Sequence, residues 1–184
     1  MSDLVQPTFT PIASCAGRTG VWRPVGFVMS VFELWFDDQL VARLRSTRAM
    51  MRMGSELTTA EGTWEFARRS FWSAGFEVRR QDQDAALAEY EPNTWLGFAF
   101  TGSGTIQFDS GARFSLRRTD FWAGRYTILN DSDQPVLTVQ PSWLALRRGV
   151  KFVLDASSAR VPETPVLAGI ALHVLLGRRR AHAH

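Results

Sequence analysis

Short apolar runs alternate with clusters of Asp, Gly, Asn and Ser along the chain from Val31 to Leu154. About twelve runs are rich in Phe, Trp, Val and Ile and bounded by turn residues, as is typical of antiparallel strands. Segments 108–113 and 129–136 carry the Gly, Asn and Asp that tight turns require. The candidate strands read VFELWF, QLVARLR, AMMRM, TWEFARR, GFEVRR, AALAEY, WLGFAF, TIQF, RFSLRR, RYTIL, PVLTV, WLALRR and VKFVL.

A different pattern follows the last candidate strand. The stretch Val166–Leu176 has no charged residue and no polar face, whereas a surface helix shows one apolar and one polar face. Thr164 suits the N-cap of a helix, Gly177 suits its end, and the cations of Arg178–Arg180 complement the helix dipole. The stretch is shorter than the roughly 20 apolar residues that cross a bilayer. We therefore predict a helix buried in the protein core, with a short membrane anchor as the alternative.

One side of this helix has little bulk. Pro165, Gly169, His173 and Gly177 recur every four residues, so they form one stripe along a helix. Small residues allow a neighbouring strand to approach closely, and a buried imidazole needs a polar partner or stays neutral. We interpret His173 as a core histidine rather than a ligand-binding residue.

Together the two patterns predict the fold. An eight-stranded barrel is just filled by its own side chains, whereas about twelve strands leave a lumen that a helix about 10 Å across can occupy. We predict a mainly β protein, a closed antiparallel β-barrel of about twelve strands around a C-terminal α-helix at about 164–177. The barrel is expected to span residues 25–180. A partly disordered extension, 1–24, precedes it, and a disordered tail, 181–184, follows it.

The chain contains an internal repeat, and each repeat unit is long enough to hold several strands. Residues 66–90 align with 115–139 if one residue is inserted, and an acidic turn follows in each copy. The alignment pairs Arg68–Arg69 with Arg117–Arg118 and Phe71–Trp72 with Phe121–Trp122. Residues 33–44 form a partial third copy. Repeated strand modules that cannot bury their own face close on one another.

A Trp- and Phe-rich sheet of about a dozen strands around one hydrophobic C-terminal helix resembles the tubby C-terminal superfamily. That group includes tubby proteins, phospholipid scramblases and the LURP-one-like proteins, and the run from Trp64 to Tyr90 is most similar to the last branch. The chain lacks the C-terminal signature of tubby domains, and Cys15 cannot replace the cysteine-rich palmitoylation segment of scramblases. The resemblance implies the barrel fold and, through tubby proteins, phospholipid binding. It implies no activity for the LURP-one-like branch.

Composition gives little support to catalysis. The histidines are His173, His182 and His184, which provide no material for a metal centre or a Ser-His-Asp triad. The lone Cys15 has no evident base, and no phosphate-binding loop or calcium-binding loop is present. We therefore expect a protein that is not an enzyme, with no cofactor and no metal. The single cysteine and the absence of a signal-like N-terminus predict a cytoplasmic location, extending to the inner membrane face.

Basic residues at strand ends are the candidate binding site. Twenty of the twenty-one basic residues are Arg, and several form pairs. If these strand ends meet at one rim, they form a patch for an anionic lipid head group or an acidic partner. The net charge of +3 and the separation of aromatic from basic residues argue against nucleic acid. The candidate residues are Arg68, Arg69, Arg117, Arg118, Arg147, Arg148 and Lys151.

We therefore expect a protein that binds anionic phospholipid or a protein partner, or that acts as a scaffold. One alternative is a scramblase-like membrane protein with an inserted C-terminal helix. Another is a small-molecule carrier of lipocalin type, because residues 62–64 read Gly-Thr-Trp. That alternative predicts eight strands and a helix packed outside the barrel.

Overall fold

The computed structural model describes residues 7–26, 30–49, 52–68, 75–93, 103–120, 124–141 and 149–181. Within these ranges the chain forms twelve strands, two short 3-10 helices (Ile12–Cys15 and Ala156–Arg160) and the helix α1 (Thr164–Ala181). The strands are β1 (Thr19–Val25), β2 (Val31–Phe36), β3 (Gln39–Ala49), β4 (Arg52–Thr59), β5 (Gly62–Arg68), β6 (Phe76–Arg80), β7 (Ala86–Pro92), β8 (Gly104–Phe108), β9 (Arg113–Asp120), β10 (Arg125–Asn130), β11 (Pro135–Pro141) and β12 (Val150–Leu154).

The strands form a closed antiparallel barrel. Each strand pairs with its neighbours in the chain, and β1 pairs with β12 to close the circle. Side chains alternate between the lumen and the outer surface, because successive residues of a strand point to opposite faces. In β12, for example, Val150 and Phe152 are buried while Lys151 is exposed. The predicted barrel is confirmed.

Helix α1 fills the lumen. Its residues from Thr164 to Ala171 are all buried, and Leu172, Val174 and Leu175 are buried as well. A Cβ on Gly169 would lie 2.7 Å from Leu57 Cδ2 of β4 and 2.8 Å from the Phe66 ring of β5. Two side chains of the wall, and not a strand backbone, therefore approach the helix closely at this glycine. The helix continues to Ala181, beyond the expected end at residue 177.

Strand β1 corrects the expected boundary of the barrel. Six of its seven residues, 19–24, fall in the segment that we expected to precede the barrel, and it pairs with both β2 and β12. The sequence does not predict this strand because Gly20 and Pro24 are unfavourable inside strands. A Cβ at Gly20 would lie 2.7 Å from the Trp35 carbonyl oxygen, so the neighbouring backbone approaches too closely for a side chain.

Other expectations change in detail. Strand β4 covers Arg52–Thr59 and is mostly polar, and only its first two residues belong to a candidate run. The candidate strands at 95–100 and 143–148 lie outside the described residues. The lipocalin-type alternative is wrong in architecture, because the described residues form twelve strands and the helix lies inside.

The repeat corresponds to structure. The hairpins of the sequence repeat are β2–β3, β6–β7 and β10–β11, so they recur at every fourth strand around the barrel. In the second and third hairpins, Phe76 and Val78 occupy the same buried positions as Tyr126 and Ile128.

Candidate functional site

Strand direction divides the connections between the two ends of the barrel. Neighbouring strands are antiparallel, so alternate connections lie at the same end. We define the acidic end as the one formed by the five turns after β2, β4, β6, β8 and β10. These turns comprise residues 37–38, 60–61, 81–85, 109–112 and 131–134.

Every turn at the acidic end contains Asp or Glu. Part of this pattern is turn chemistry, since Asp37 and Asp133 adopt positive φ angles of 52° and 57°, which Asp tolerates better than most residues. Arg18 is 2.5 Å from Asp37, and Arg80 is 3.4 Å from Asp82, so cations neutralise only some of these carboxylates. The acidic end carries an excess of negative charge.

The N-terminus of α1 lies at the acidic end. Thr164 Oγ1 donates to the carbonyl oxygens of Ser158 at 3.0 Å and Val161 at 2.7 Å, and Glu163 lies 3.4 Å from Ser110 in the turn after β8. The positive end of the helix dipole therefore faces the carboxylates of this end.

We define the basic end as the opposite end of the barrel, where β1, β3, β5, β7, β9 and β11 end. The segments that link these strands to the next ones are 26–30, 50–51, 69–75, 93–103, 121–124 and 142–149, and most of their residues lie outside the described part of the chain. Their sequences contain no Asp or Glu. They contain four of the seven tryptophans, whereas the five turns of the acidic end contain no aromatic residue. The four are Trp72, Trp95, Trp122 and Trp143.

Described residues at the basic end add cations and an exposed apolar side chain. Arg68 is the last residue of β5, and Arg118 lies near the end of β9. Val25, the last residue of β1, is 43% exposed. Helix α1 passes Ser55 and Phe76 near this end, so its last turn with Arg178–Arg180 reaches the basic end.

The candidate arginines divide between the two surfaces of the barrel. Arg68 and Arg118 are half-buried and follow the lumen-facing alternation of β5 and β9. Arg117 points outward, and its Nη2 lies 2.8 Å from Asp133 of the acidic end. Lys151 also points outward and is exposed. Arg69, Arg147 and Arg148 lie outside the described residues.

In β9, the pairing between strands shifts the equivalence of the two repeat copies by one residue relative to the sequence alignment. Phe66 pairs with Val78 in one copy, and Leu116 pairs with Ile128 in the other. Arg68 therefore corresponds to Arg118, not to Arg117. Both lie at the basic end because β5 and β9 run in the same direction.

The lumen near the basic end holds a polar contact. His173 Nδ1 lies 2.9 Å from Ser55 Oγ, and Ser55 is 5% exposed. The imidazole stacks on Phe66 at a centroid distance of 5.4 Å and meets Phe76 at 4.7 Å. The predicted polar partner of His173 is thus Ser55, on the wall strand β4.

Other candidate chemistry is sparse in the part of the chain that the structure describes. These residues contain no group of three or more His, Cys, Asp or Glu side chains that could hold a metal ion. Cys15 is buried in the first 3-10 helix, with Arg18 Nη1 at 3.8 Å from its sulfur. None of the described helices is both long enough and apolar enough to cross a bilayer.

Comparison with known proteins leaves the function open. No protein-family model matches the chain, and no curated protein or solved structure is detectably similar to it. The resemblance to the tubby C-terminal superfamily therefore stays a prediction. The division between an acidic end and a basic end is a feature that sequence reasoning missed. Its signal was in the composition of the connections, but it becomes visible only when strand direction is known.

Proposed function

We propose that this protein is a non-enzymatic barrel that binds an anionic phospholipid surface through its basic end. The observation that supports this proposal is the division of charge and aromatic residues between the two ends. At the basic end, Arg68, Arg118 and Arg178–Arg180 accompany connections rich in Trp and Phe and free of acidic residues. Trp with Arg is the combination that favours a membrane interface, where an aromatic ring meets both apolar and polar surroundings.

The expected binding energy is electrostatic in origin. A basic residue near an anionic membrane surface contributes about 1 kcal/mol, and this contribution falls off within a Debye length. Repulsion between the membrane and the acidic end opposes the reverse orientation. A cytoplasmic protein bound peripherally to the inner membrane face, where anionic lipids concentrate, fits this arrangement. The enclosed position of α1 argues for surface binding without insertion of the helix.

Vesicle flotation tests the proposal. The protein is mixed with vesicles of phosphatidylcholine alone, or with phosphatidylserine or a phosphoinositide added, at low and high salt. We expect flotation only with anionic lipid and only at low salt. Flotation independent of anionic lipid, or no flotation with any vesicle, would overturn the proposal, and the second result would favour a protein partner.

Matched variants locate the binding end. The triple variant Arg178→Gln, Arg179→Gln, Arg180→Gln removes three charges at the basic end and is expected to weaken partitioning by roughly a hundredfold. The control Arg80→Gln, Arg113→Gln, Arg160→Gln changes the net charge equally, but these residues lie at the acidic end. We expect the control to bind like the parent. Equal binding by the two triple variants would contradict docking through the basic end.

A further inference from the structure

Arg68 carries a positive charge that no described residue neutralises. It follows Trp64 and Phe66 at alternate positions on the lumen side of β5, and it is half-buried at the basic end. Among the residues that the structure describes, none forms a hydrogen bond or an ion pair with its guanidinium. This group has five N–H donors and a permanent charge. Arg68 is therefore an inward-facing cation whose donors are available to a ligand.

The neighbouring carboxylates lie on the opposite face of the sheet. In β4 to β7 the acidic residues alternate with buried residues and so point outward. They are Glu56, Glu65, Glu77, Glu89 and Glu91. Asp120 ends β9, four strands away from β5 around the barrel. The positive charge of Arg68 thus faces the lumen, on the side of the wall away from these five carboxylates.

Solvent reaches the lumen beside Arg68. Helix α1 is buried from Thr164 to Leu172, but His173 and Gly177 are partly exposed. The imidazole of His173 faces this part of the wall, since its centroid lies 4.7 Å from that of Phe76, the register partner of Arg68. Gly177 lies one turn further along the same stripe and contributes no side chain. An opening between α1 and the wall therefore reaches His173 from the basic end.

This opening has an aromatic floor. Phe66 stacks on His173 at 5.4 Å, and Ser55 Oγ lies 2.9 Å from the imidazole Nδ1. His173 thus keeps the role of a core histidine held by the wall, and the cation that faces an entering ligand is Arg68. Charge-assisted hydrogen bonds are stronger in such partly desolvated surroundings than in water. The combination favours a compact anion with several oxygen acceptors.

We propose that Arg68 binds a phosphate monoester at this opening. The planar fork of a guanidinium matches two oxygens of a phosphate group. The site differs from the basic end as a whole, because one inward cation beside the helix recognises one phosphate group, whereas the basic end attracts any anionic surface. The inference rests on the proposed function for the source of the group, since an anionic membrane at the basic end presents lipid phosphates there. A soluble phosphate ester offers the same chemistry.

Imidazole NMR signals test the site without a membrane. The chain has three histidines, and His182 and His184 follow the last residue of α1. Protein with isotope-labelled histidine is titrated with glycerol 3-phosphate at constant pH and ionic strength, and glycerol serves as the uncharged control. We expect a saturable shift of the His173 signal with glycerol 3-phosphate alone, and little change in the other two signals. No shift of His173, or equal shifts of all three signals, would rule out the site.

Matched arginine variants identify the ligand-binding residue. Arg68→Gln removes the charge and the fork, so it should weaken glycerol 3-phosphate binding at least about tenfold. Arg68→Lys keeps the charge without the fork, so its loss should be smaller. The control Arg23→Gln removes an exposed arginine from the outer surface of β1, near the same end, and should bind like the parent.

The variants also decide against the proposal if it is wrong. A loss in Arg68→Gln no greater than that in Arg23→Gln would contradict it. Urea denaturation verifies that each variant is folded. Should Arg68→Gln fail to fold, the same comparison is made with Arg68→Lys, and a loss no greater than that of the control would again contradict the proposal.

Vesicle flotation separates this inference from the proposed function. Phosphatidic acid presents a phosphate monoester and phosphatidylserine does not, so vesicles of each are compared at equal surface charge. We expect tighter partitioning to phosphatidic acid in the parent and no such preference in Arg68→Gln. Flotation of the parent without any shift of the His173 signal would leave the proposed function intact and refute the site. A shift that Arg68→Gln abolishes, without flotation, would support the site for a soluble phosphate ester and overturn the proposed function.

Discussion

The contact between His173 and Ser55 offers a measurable test of how α1 is held in the lumen. Ser55 Oγ and His173 Nδ1 are 2.9 Å apart, and the imidazole packs on Phe66 and Phe76. Replacing Ser55 by Ala removes one hydrogen bond, which contributes about 1 kcal/mol. Replacing His173 by Leu keeps most of the bulk but leaves the buried serine hydroxyl without this partner, a penalty of about 1–3 kcal/mol. Loss of the ring contacts adds about 0.5–1.5 kcal/mol.

The double variant separates these contributions. Once Ser55 is Ala, no buried hydroxyl is left unpaired by His173→Leu, so the two changes together should cost about 1 kcal/mol less than their sum. The free energy of unfolding is measured by urea denaturation for the parent, both single variants and the double variant.

A distant pair provides the control for this cycle. Ile128→Val lies on β10, across the barrel from β4, and should combine additively with Ser55→Ala, within about 0.5 kcal/mol. If Ser55→Ala and His173→Leu also combine additively within about 0.5 kcal/mol, the hydrogen bond between these two residues does not help to hold α1 in the lumen.

Three further predictions follow from the packing. Deleting residues 164–184 removes several buried aliphatic side chains that contribute about 1.5–3 kcal/mol each, and their sum is comparable with a total stability of about 5–15 kcal/mol. The shortened chain should therefore aggregate. A shortened chain that stays soluble and unfolds cooperatively would contradict an enclosed helix. Gly104→Val should cost about 3 kcal/mol in urea denaturation, because its Cβ would lie 2.5 Å from the Glu91 carbonyl oxygen, whereas the outward Thr105→Val should change stability by less than about 0.5 kcal/mol. Cys15 is 0% exposed and should react with a thiol reagent only as denaturant opens the fold; rapid labelling of the native protein would exclude its buried position.

Local sequence patterns predicted most of the fold. The apolar run Val166–Leu176 and the alternating runs between turns are signals within a few residues of one another, so they predict the helix and most strands. Strand β1 depends on partners far along the chain, since β12 supplies half of its pairing. Its Gly20 is required by the close approach of β2, a condition that the sequence of β1 alone does not contain.

The location of the candidate site residues depends on the register between strands, which the sequence of one strand does not contain. Two adjacent arginines such as Arg117 and Arg118 point to opposite surfaces of a strand, so a pair cannot contribute both members to one patch. Which member faces the lumen follows from the register, and the register of β9 differs by one residue from the repeat alignment.

The order of elements along the chain has a consequence for biosynthesis. All twelve strands precede α1, so the ribosome produces the wall of the barrel before the helix that fills it. A wall closed at the β1–β12 seam would obstruct entry of the helix, so the seam must form after, or together with, docking of α1. Until then the newly made sheet exposes its apolar inner face and two unpaired edges, the condition in which chains aggregate. Synthesis of this protein therefore includes an interval in which a chaperone that shields open sheets would increase the yield of folded molecules.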